Sequence, residues 1–253
     1  VGLIGATGSG KSTLIQHLNG LLRPTSGTVL VDGVYIWSKG VSLKQIRRKI
    51  GLVFQYPEQQ VFEETVYDDI AFGPRNLGFS QAEVEARVEK ACELVGLDKE
   101  LLPRSPFELS GGQVRRVAIA GILAIQPKVL ILDEPTAGLD PKGRMEILDN
   151  IKQLHETGMT VILVSHNMDD VARLCERVMV LEKGTLVFDG PAREVFTQRE
   201  FLYSKQLRPP EVTLLMEKLR QRGWAVRQDV LTVEEAYAEI MKELRKKGVA
   251  GAI

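Results

Sequence analysis

Two kinds of hydrophobic pattern alternate along this chain. Short, mostly apolar runs occur at Val1–Ile4, Ile50–Gln55, Lys128–Asp133 and Thr160–Ser165, and read as strands, the last two buried on both faces. Between them lie stretches whose apolar residues recur every three or four positions, the spacing of one helix face. Lys11–Leu22 reads as a helix, and from Pro57 to about Leu123 the pattern is helical throughout. Within that stretch Ser80-Gln-Ala-Glu83 has the form of a capping box, followed by Val84, Val88, Ala91 and Val95 at helix spacing. Asp140-Pro141 opens another helix, with Pro at its first position and an expected core stripe of Met145, Leu148, Ile151 and Leu154. Thr28–Val31 and Val34–Trp37 read as strands around Asp32-Gly33, and Val178–Glu182 and Thr185–Phe188 as a hairpin around Lys183-Gly184.

Strands alternating with helices imply an α/β fold with a mainly parallel sheet. The long helical stretch, about 57–123, interrupts that rhythm and is expected to form a helical subdomain. Arg208-Pro209-Pro210 reads as a linker. Beyond it come a helix over Val212–Arg222, a short strand near Trp224–Val226, and a helix opened by Thr232-Val-Glu-Glu235 with Ala236, Ile240 and Leu244 on one face. The expected organisation is a main domain over 1–207 and a small C-terminal α/β appendage over 208–253.

Composition narrows the class. With 253 residues, 44% of them hydrophobic, the chain can bury a sizeable core. Lys plus Arg and Asp plus Glu number 33 each, a balance that argues against a disordered polyelectrolyte and lends no support to a nucleic-acid partner. No apolar run approaches the roughly 18 residues of a membrane span. Cys92 and Cys175 are too few for a disulfide framework and read as buried thiols. The chain opens on Val1 and shows no signal peptide or initiator methionine; a reduced, cytoplasmic protein with a piece missing ahead of Val1 is the expectation.

The chemistry begins at Gly5-Ala6-Thr7-Gly8-Ser9-Gly10-Lys11-Ser12, a complete phosphate-binding loop between a strand and a helix. Its glycines let backbone N–H groups turn toward phosphate oxygens, and the helix N-terminus adds partial positive charge. Lys11 is expected to reach the β and γ phosphates, Ser12 to hold Mg²⁺, and Thr13 to meet the α phosphate. Val129-Leu-Ile-Leu-Asp133-Glu134 delivers two carboxylates to the carboxyl end of a buried strand, where open parallel sheets bind ligands. Asp133 would orient the magnesium shell and Glu134 would polarise the attacking water. Leu109-Ser110-Gly111-Gly112-Gln113 places a hydroxyl and two glycines at a helix start, a second anion site in a chain that already has one. A second half-site makes sense if two chains meet head to tail.

With these motifs in order, Val1 to about Gly190 resembles the ATP-binding cassette (ABC) ATPases, whose P-loop fold has a mainly parallel sheet and a helical signature subdomain. The further marks are Gln55 after a strand, Ala137-Gly-Leu-Asp140 and His166 at a strand end. The resemblance implies ATP and Mg²⁺ as ligands. It implies that Gln55 senses the metal and the attacking water, that Asp140 couples two sites across a dimer, and that His166 contacts the γ phosphate and holds Glu134. It also implies a segment ahead of the phosphate loop bearing an aromatic that stacks on adenine; Tyr35 and Trp37 are not its equivalents by position. His17 and His155 fall on helix patterns and carry no expected role.

A narrower likeness is to the energising ATPases of energy-coupling factor importers of vitamins and metals. It rests on Phe54-Gln-Tyr-Pro-Glu-Gln-Gln60, on Phe62 to Pro74, on Gln113-Val-Arg-Arg-Val-Ala-Ile-Ala-Gly121 and on the appendage after Pro209. Many cassettes carry Gln where this chain has Arg115. The likeness implies a second ATPase subunit, identical or different, together with an integral membrane coupling protein and a substrate-binding membrane protein. Tyr56, Pro57, Glu58, Gln59 and Gln60 are then candidates for receiving the coupling helices, at the cytoplasmic face of the cell membrane. An ATPase of another ABC importer class and a soluble, non-transport ABC ATPase are the alternatives.

Overall fold

A computed structural model describes residues 1–246 and, within them, every side chain except those of Pro57 and Glu58. The last seven residues of the expected appendage, 247–253, lie outside the described residues, as do the side chains of two docking candidates, Pro57 and Glu58. The elements run β1 (Gly2–Ile4), α1 (Lys11–Leu18), β2 (Leu30–Val31), β3 (Val34–Tyr35), α2 (Leu43–Lys49), β4 (Ile50–Val53), a 3₁₀ turn (Pro57–Gln60), α3 (Val66–Asn76), α4 (Gln81–Val95), α5 (Gly111–Leu123) and β5 (Val129–Asp133). They continue as α6 (Pro141–Glu156), β6 (Thr160–Val164), α7 (Met168–Leu174), β7 (Arg177–Glu182), β8 (Thr185–Pro191), α8 (Ala192–Thr197), α9 (Arg199–Ser204), α10 (Glu211–Gln221) and α11 (Val233–Lys246). The chain forms two compact units, one of Val1–Lys11 with everything from Leu163 onward, the other of Ser12–Ile162.

In the first unit β1 pairs in parallel with the end of β6 on one side and with β7 on the other. β7 and β8 form the expected antiparallel hairpin, with Lys183 and Gly184 both at positive φ, as a tight two-residue turn requires. The appendage belongs to this unit. Pro209 and Pro210 are buried, and Glu211 N donates to Asp169 Oδ1 at 2.9 Å. Arg199 pairs with Glu217, and Arg193 forks onto Glu235 and the carbonyl of Asp229. Met216, Val226, Val230 and Ala236 form the appendage's own core, with Val212, Leu219, Trp224 and Ile240 packed against it. The expected strand at Trp224–Val226 does not form. The segment finds no backbone ladder, and its side chains instead fill the gap between α10 and α11, so the described appendage is helical.

In the second unit β4 and β5 pair in parallel from Ile50↔Val129 to Val53↔Leu132. α3, α4 and α5 pack on one another, and α5 lies against β4. The capping box of α4 forms as expected, and Val84, Val88, Ala91 and Val95 are buried. α2 was not expected; it follows Ser42 and buries Ile46. The expected stripe of α6 is corrected at one position. Met145 is 46% exposed, and Ile147 joins Leu148, Ile151 and Leu154 in the core.

Both cysteines are buried, and burial pushes each thiol up to about 11. His17 and His155 place a ring nitrogen on the carbonyls of Leu22 and Met159, just past their helices. Among the described residues no helix is long and apolar enough to cross a membrane.

Candidate functional site

β1 ends at Ile4, and the loop that follows is held from below by the β7–β8 turn. Gly184 N donates to Ser9 O at 2.9 Å. A Cβ on Gly5 would lie 2.3 Å from the carbonyl oxygen of Leu181 and 2.6 Å from Ser9 Oγ, so only glycine fits there. Gly10 has φ +101°, which aims the chain into α1. Gly5 and Ser9 are buried, whereas Thr7 and Gly8 are exposed and Ala6 is half-buried. The loop therefore has a fixed floor and an open upper side. Lys11 Nζ donates to Gly5 O at 2.7 Å and to Ala6 O at 3.2 Å, which keeps the ammonium over the loop at the helix start. His166, in the same unit, is exposed just after β6, between buried Ser165 and Asn167, whose side chain caps α7.

The second unit carries Ser12, Asp133 and Glu134, the residues expected from the sequence to serve the metal and the water. Ser12 Oγ donates to Asp133 Oδ2 at 3.0 Å across 121 positions of sequence. A hydroxyl and a carboxylate at this distance are the hard oxygen donors that Mg²⁺ takes when phosphates supply the rest of its shell. That donor set fits a magnesium ion whose remaining ligands are phosphate oxygens and water. Thr13 is exposed beside Ser12 at the start of α1. Asp133 and Glu134 are both buried at the end of β5, and Glu134 has φ +52°. A left-handed non-glycine backbone costs about 1–2 kcal/mol and turns the side chain off the strand direction.

The turn after Glu134 is closed by Ala137 N on Glu134 O at 3.1 Å and Leu139 N on Thr136 O at 3.3 Å. It leads to Asp140, whose side chain caps α6 by accepting from Gly143 N at 2.9 Å. Ser110 caps α5 through a full capping box with Gln113. Ser110, Gly111 and Gly112 share one open cleft of about 490 Å³ with Gly138, Leu139 and Asp140. The signature residues and Asp140 are thus brought together.

Gln55 is half-buried two residues beyond β4. Gln60 is not simply a surface group, since its Oε1 accepts from Phe54 N at 3.1 Å and ties the 3₁₀ turn back to the strand end. Tyr56 and Gln59 are exposed. Beside them, Phe62 and Phe72 form an exposed edge-to-face pair with centroids 4.8 Å apart. Both phenylalanines lie inside the segment singled out from the sequence, but their pairing follows only from how α3 packs.

A model of the ABC transporter family matches residues 1–137. The chain is 58% identical to the energy-coupling factor transporter ATP-binding protein EcfA2 of Caldanaerobacter subterraneus subsp. tengcongensis, over 97% of this chain and 86% of that protein. It is 57% identical to the EcfA2 of Clostridium perfringens, over 97% of this chain and 87% of that one. The chain belongs to the ABC transporter family, among the energy-coupling factor ATP-binding proteins. Solved ABC structures share the fold. One is cbiO1 from Clostridium perfringens, part of the ABC transporter complex cbiONQ, with 41% identity, a TM-score of 0.72, and 85% of this chain and 86% of that one covered. Another is the dimeric post-hydrolysis state of the ATP-binding cassette MJ0796 with ADP and Pi, with 31% identity, a TM-score of 0.67, and coverage of 76% and 84%.

Proposed function

We propose that this chain is the ATP-hydrolysing subunit of an energy-coupling factor importer of vitamins or transition-metal ions. The cassette spans 1–207 with its helical subdomain at about 57–123, and 208–253 is an appendage. The observation that carries the reading is the Ser12–Asp133 hydrogen bond at 3.0 Å, which joins the phosphate loop's hydroxyl to the carboxylate of β5. The energy-coupling factor relatives add the transport setting.

Gly5 to Gly10 cradle the phosphates with backbone N–H groups, Lys11 neutralises the β and γ phosphates, and Thr13 meets the α phosphate. Ser12, Asp133 and Gln55 would hold Mg²⁺, which would offset negative charge on the phosphates. Glu134 orients the attacking water and takes its proton, and His166 keeps that water and the γ phosphate in register. Ser110, Gly111, Gly112 and Gln113 serve the nucleotide of a facing ATPase subunit, identical or different. Ser110 uses its oxygen as the cap acceptor, which leaves its O–H to donate to that nucleotide's γ phosphate. Asp140 links the two sites. Hydrolysis removes the shared γ contact and opens the pair. Tyr56 to Gln60, with the exposed Phe62–Phe72 pair, pass that motion to an integral membrane coupling protein bound to a substrate-binding membrane protein. The chain works at the cytoplasmic face of the membrane.

The test uses the purified transporter complex. Glu134→Gln is expected to bind ATP, to hydrolyse it about 10²–10⁴-fold more slowly and to accumulate as closed dimers. Lys11→Ala is expected to weaken nucleotide binding itself. Wild-type turnover by Glu134→Gln removes Glu134 from its role. Capture of the tagged protein from gently solubilised membranes without any membrane protein would overturn the transport reading.

A further inference from the structure

Arg115 sits in the signature helix α5 with 5% of its surface exposed. A guanidinium buried this deeply needs hydrogen-bond acceptors around it. Its Nη1 donates to Ala137 O at 2.7 Å and to Pro135 O at 3.0 Å. Both carbonyls belong to the turn between Glu134 and Asp140. Ala137 is therefore held from two directions, with its N–H on the carbonyl of Glu134 and its carbonyl on Arg115. The next residue reaches elsewhere. Arg116 donates to Val95 O at 2.8 Å at the end of α4 and pairs with Glu146 of α6. Adjacent arginines thus fasten α5 to the turn after Glu134 and to the helix that Asp140 caps.

We propose that Arg115 is a positioning residue for ATP hydrolysis, clamping the Glu134–Asp140 turn so that the tilt of the signature helix sets the placement of Glu134. This rests on Glu134 being the general base. The left-handed backbone at Glu134 makes the clamp consequential, because a strained φ persists only when its surroundings over-determine it. One guanidinium nitrogen, Nη1, donating to two carbonyls of one turn supplies such a constraint. Arg115 acts through the two carbonyls of the turn, so the effect is on geometry and not on charge at the reacting atoms.

The test compares Arg115→Met, Arg115→Gln and Arg115→Lys in the purified transporter complex, with rates expressed per bound nucleotide. Val117→Ala, a truncation at a fully buried position of α5, controls for loss of packing alone. Arg115→Met is expected to lower kcat about ten- to a hundredfold while the KM for ATP stays within about twofold. Arg115→Lys, which can reach both carbonyls with one ammonium, is expected to recover most of that loss. Arg115→Gln, with a neutral donor too short to span both carbonyls, is expected to lose several-fold, and it decides the matter if the methionine variant does not fold. Val117→Ala is expected to keep the wild-type kcat per site. The proposal is overturned by wild-type kcat in Arg115→Met or Arg115→Gln, by an equal loss in Val117→Ala, or by a raised KM at unchanged kcat. Full loss in Glu134→Gln beside wild-type kcat in Arg115→Met overturns it alone. Wild-type hydrolysis by Glu134→Gln overturns the general-base reading and this proposal together.

Discussion

Replacing Glu134 by glycine and, separately, by alanine separates backbone strain from side-chain chemistry. Both variants remove the same carboxylate from the same buried position. They differ only in what they make of φ +52°. Alanine keeps the left-handed penalty of about 1–2 kcal/mol. Glycine is free of it but loses about 0.5–1 kcal/mol more chain entropy on folding. The difference favours glycine by roughly 0–1.5 kcal/mol, the reverse of the usual order inside a strand or helix. For a chain of this size each kcal/mol moves the melting temperature by about 2–4 °C. The glycine variant should therefore melt up to about 6 °C above the alanine variant. Calorimetric scans of both without nucleotide, at one scan rate, provide the measurement. An alanine variant that melts higher refutes the reasoning and shows that the turn relaxes once the carboxylate is gone.

Two further outcomes follow from charge and burial. Hydrogen bonding from Arg193, with help from the Leu231 N–H, holds Glu235 down at about 2, below its ordinary 4.5. A depressed carboxylate stabilises above its unfolded pKa and loses that contribution as pH falls, so the tie between α8 and the appendage should weaken from about pH 4.5 toward pH 2. Arg193 is about half exposed, so solvent reduces the contribution to about 1 kcal/mol. Arg193→Met should flatten the acid limb of a plot of melting temperature against pH, and an unchanged limb would count against the pair. Cys92 and Cys175, with thiols at about 11, should resist alkylation at pH 8 until the chain unfolds. Rapid labelling of the folded protein, followed by mass spectrometry, would contradict their burial.

Much of this site could be read from the sequence because its parts are local. The capping box at Ser80, the helix start after Ser110 and the Lys183-Gly184 turn are each set by a few neighbouring residues, and each formed as expected. β5 could be read because a strand buried on both faces has no polar alternation to confuse it. What was misread depends on partners distant in sequence. Trp224–Val226 has strand composition, but a strand needs a neighbour's backbone, and Met216 and Ala236 offer side chains instead. Met145 fits the helical period, yet which side of α6 meets the core turned the stripe toward Ile147. α2 carries three consecutive basic residues, which hide the apolar anchor Ile46. The links from Ser12 to Asp133 and from Arg115 to Ala137 have no local signature at all.

The floor of the phosphate loop has a consequence for synthesis. Gly5 packs on the carbonyl of Leu181, Ser9 receives Gly184, and β1 has β7 as a neighbour. The ribosome makes this floor roughly 170 residues after the loop, a wait of about ten to thirty seconds at ordinary elongation rates. Through that interval β1 has no neighbour on its β7 side, and the loop lacks the contacts of Leu181 and Gly184. A chain that ends before Leu181 carries the loop without its floor.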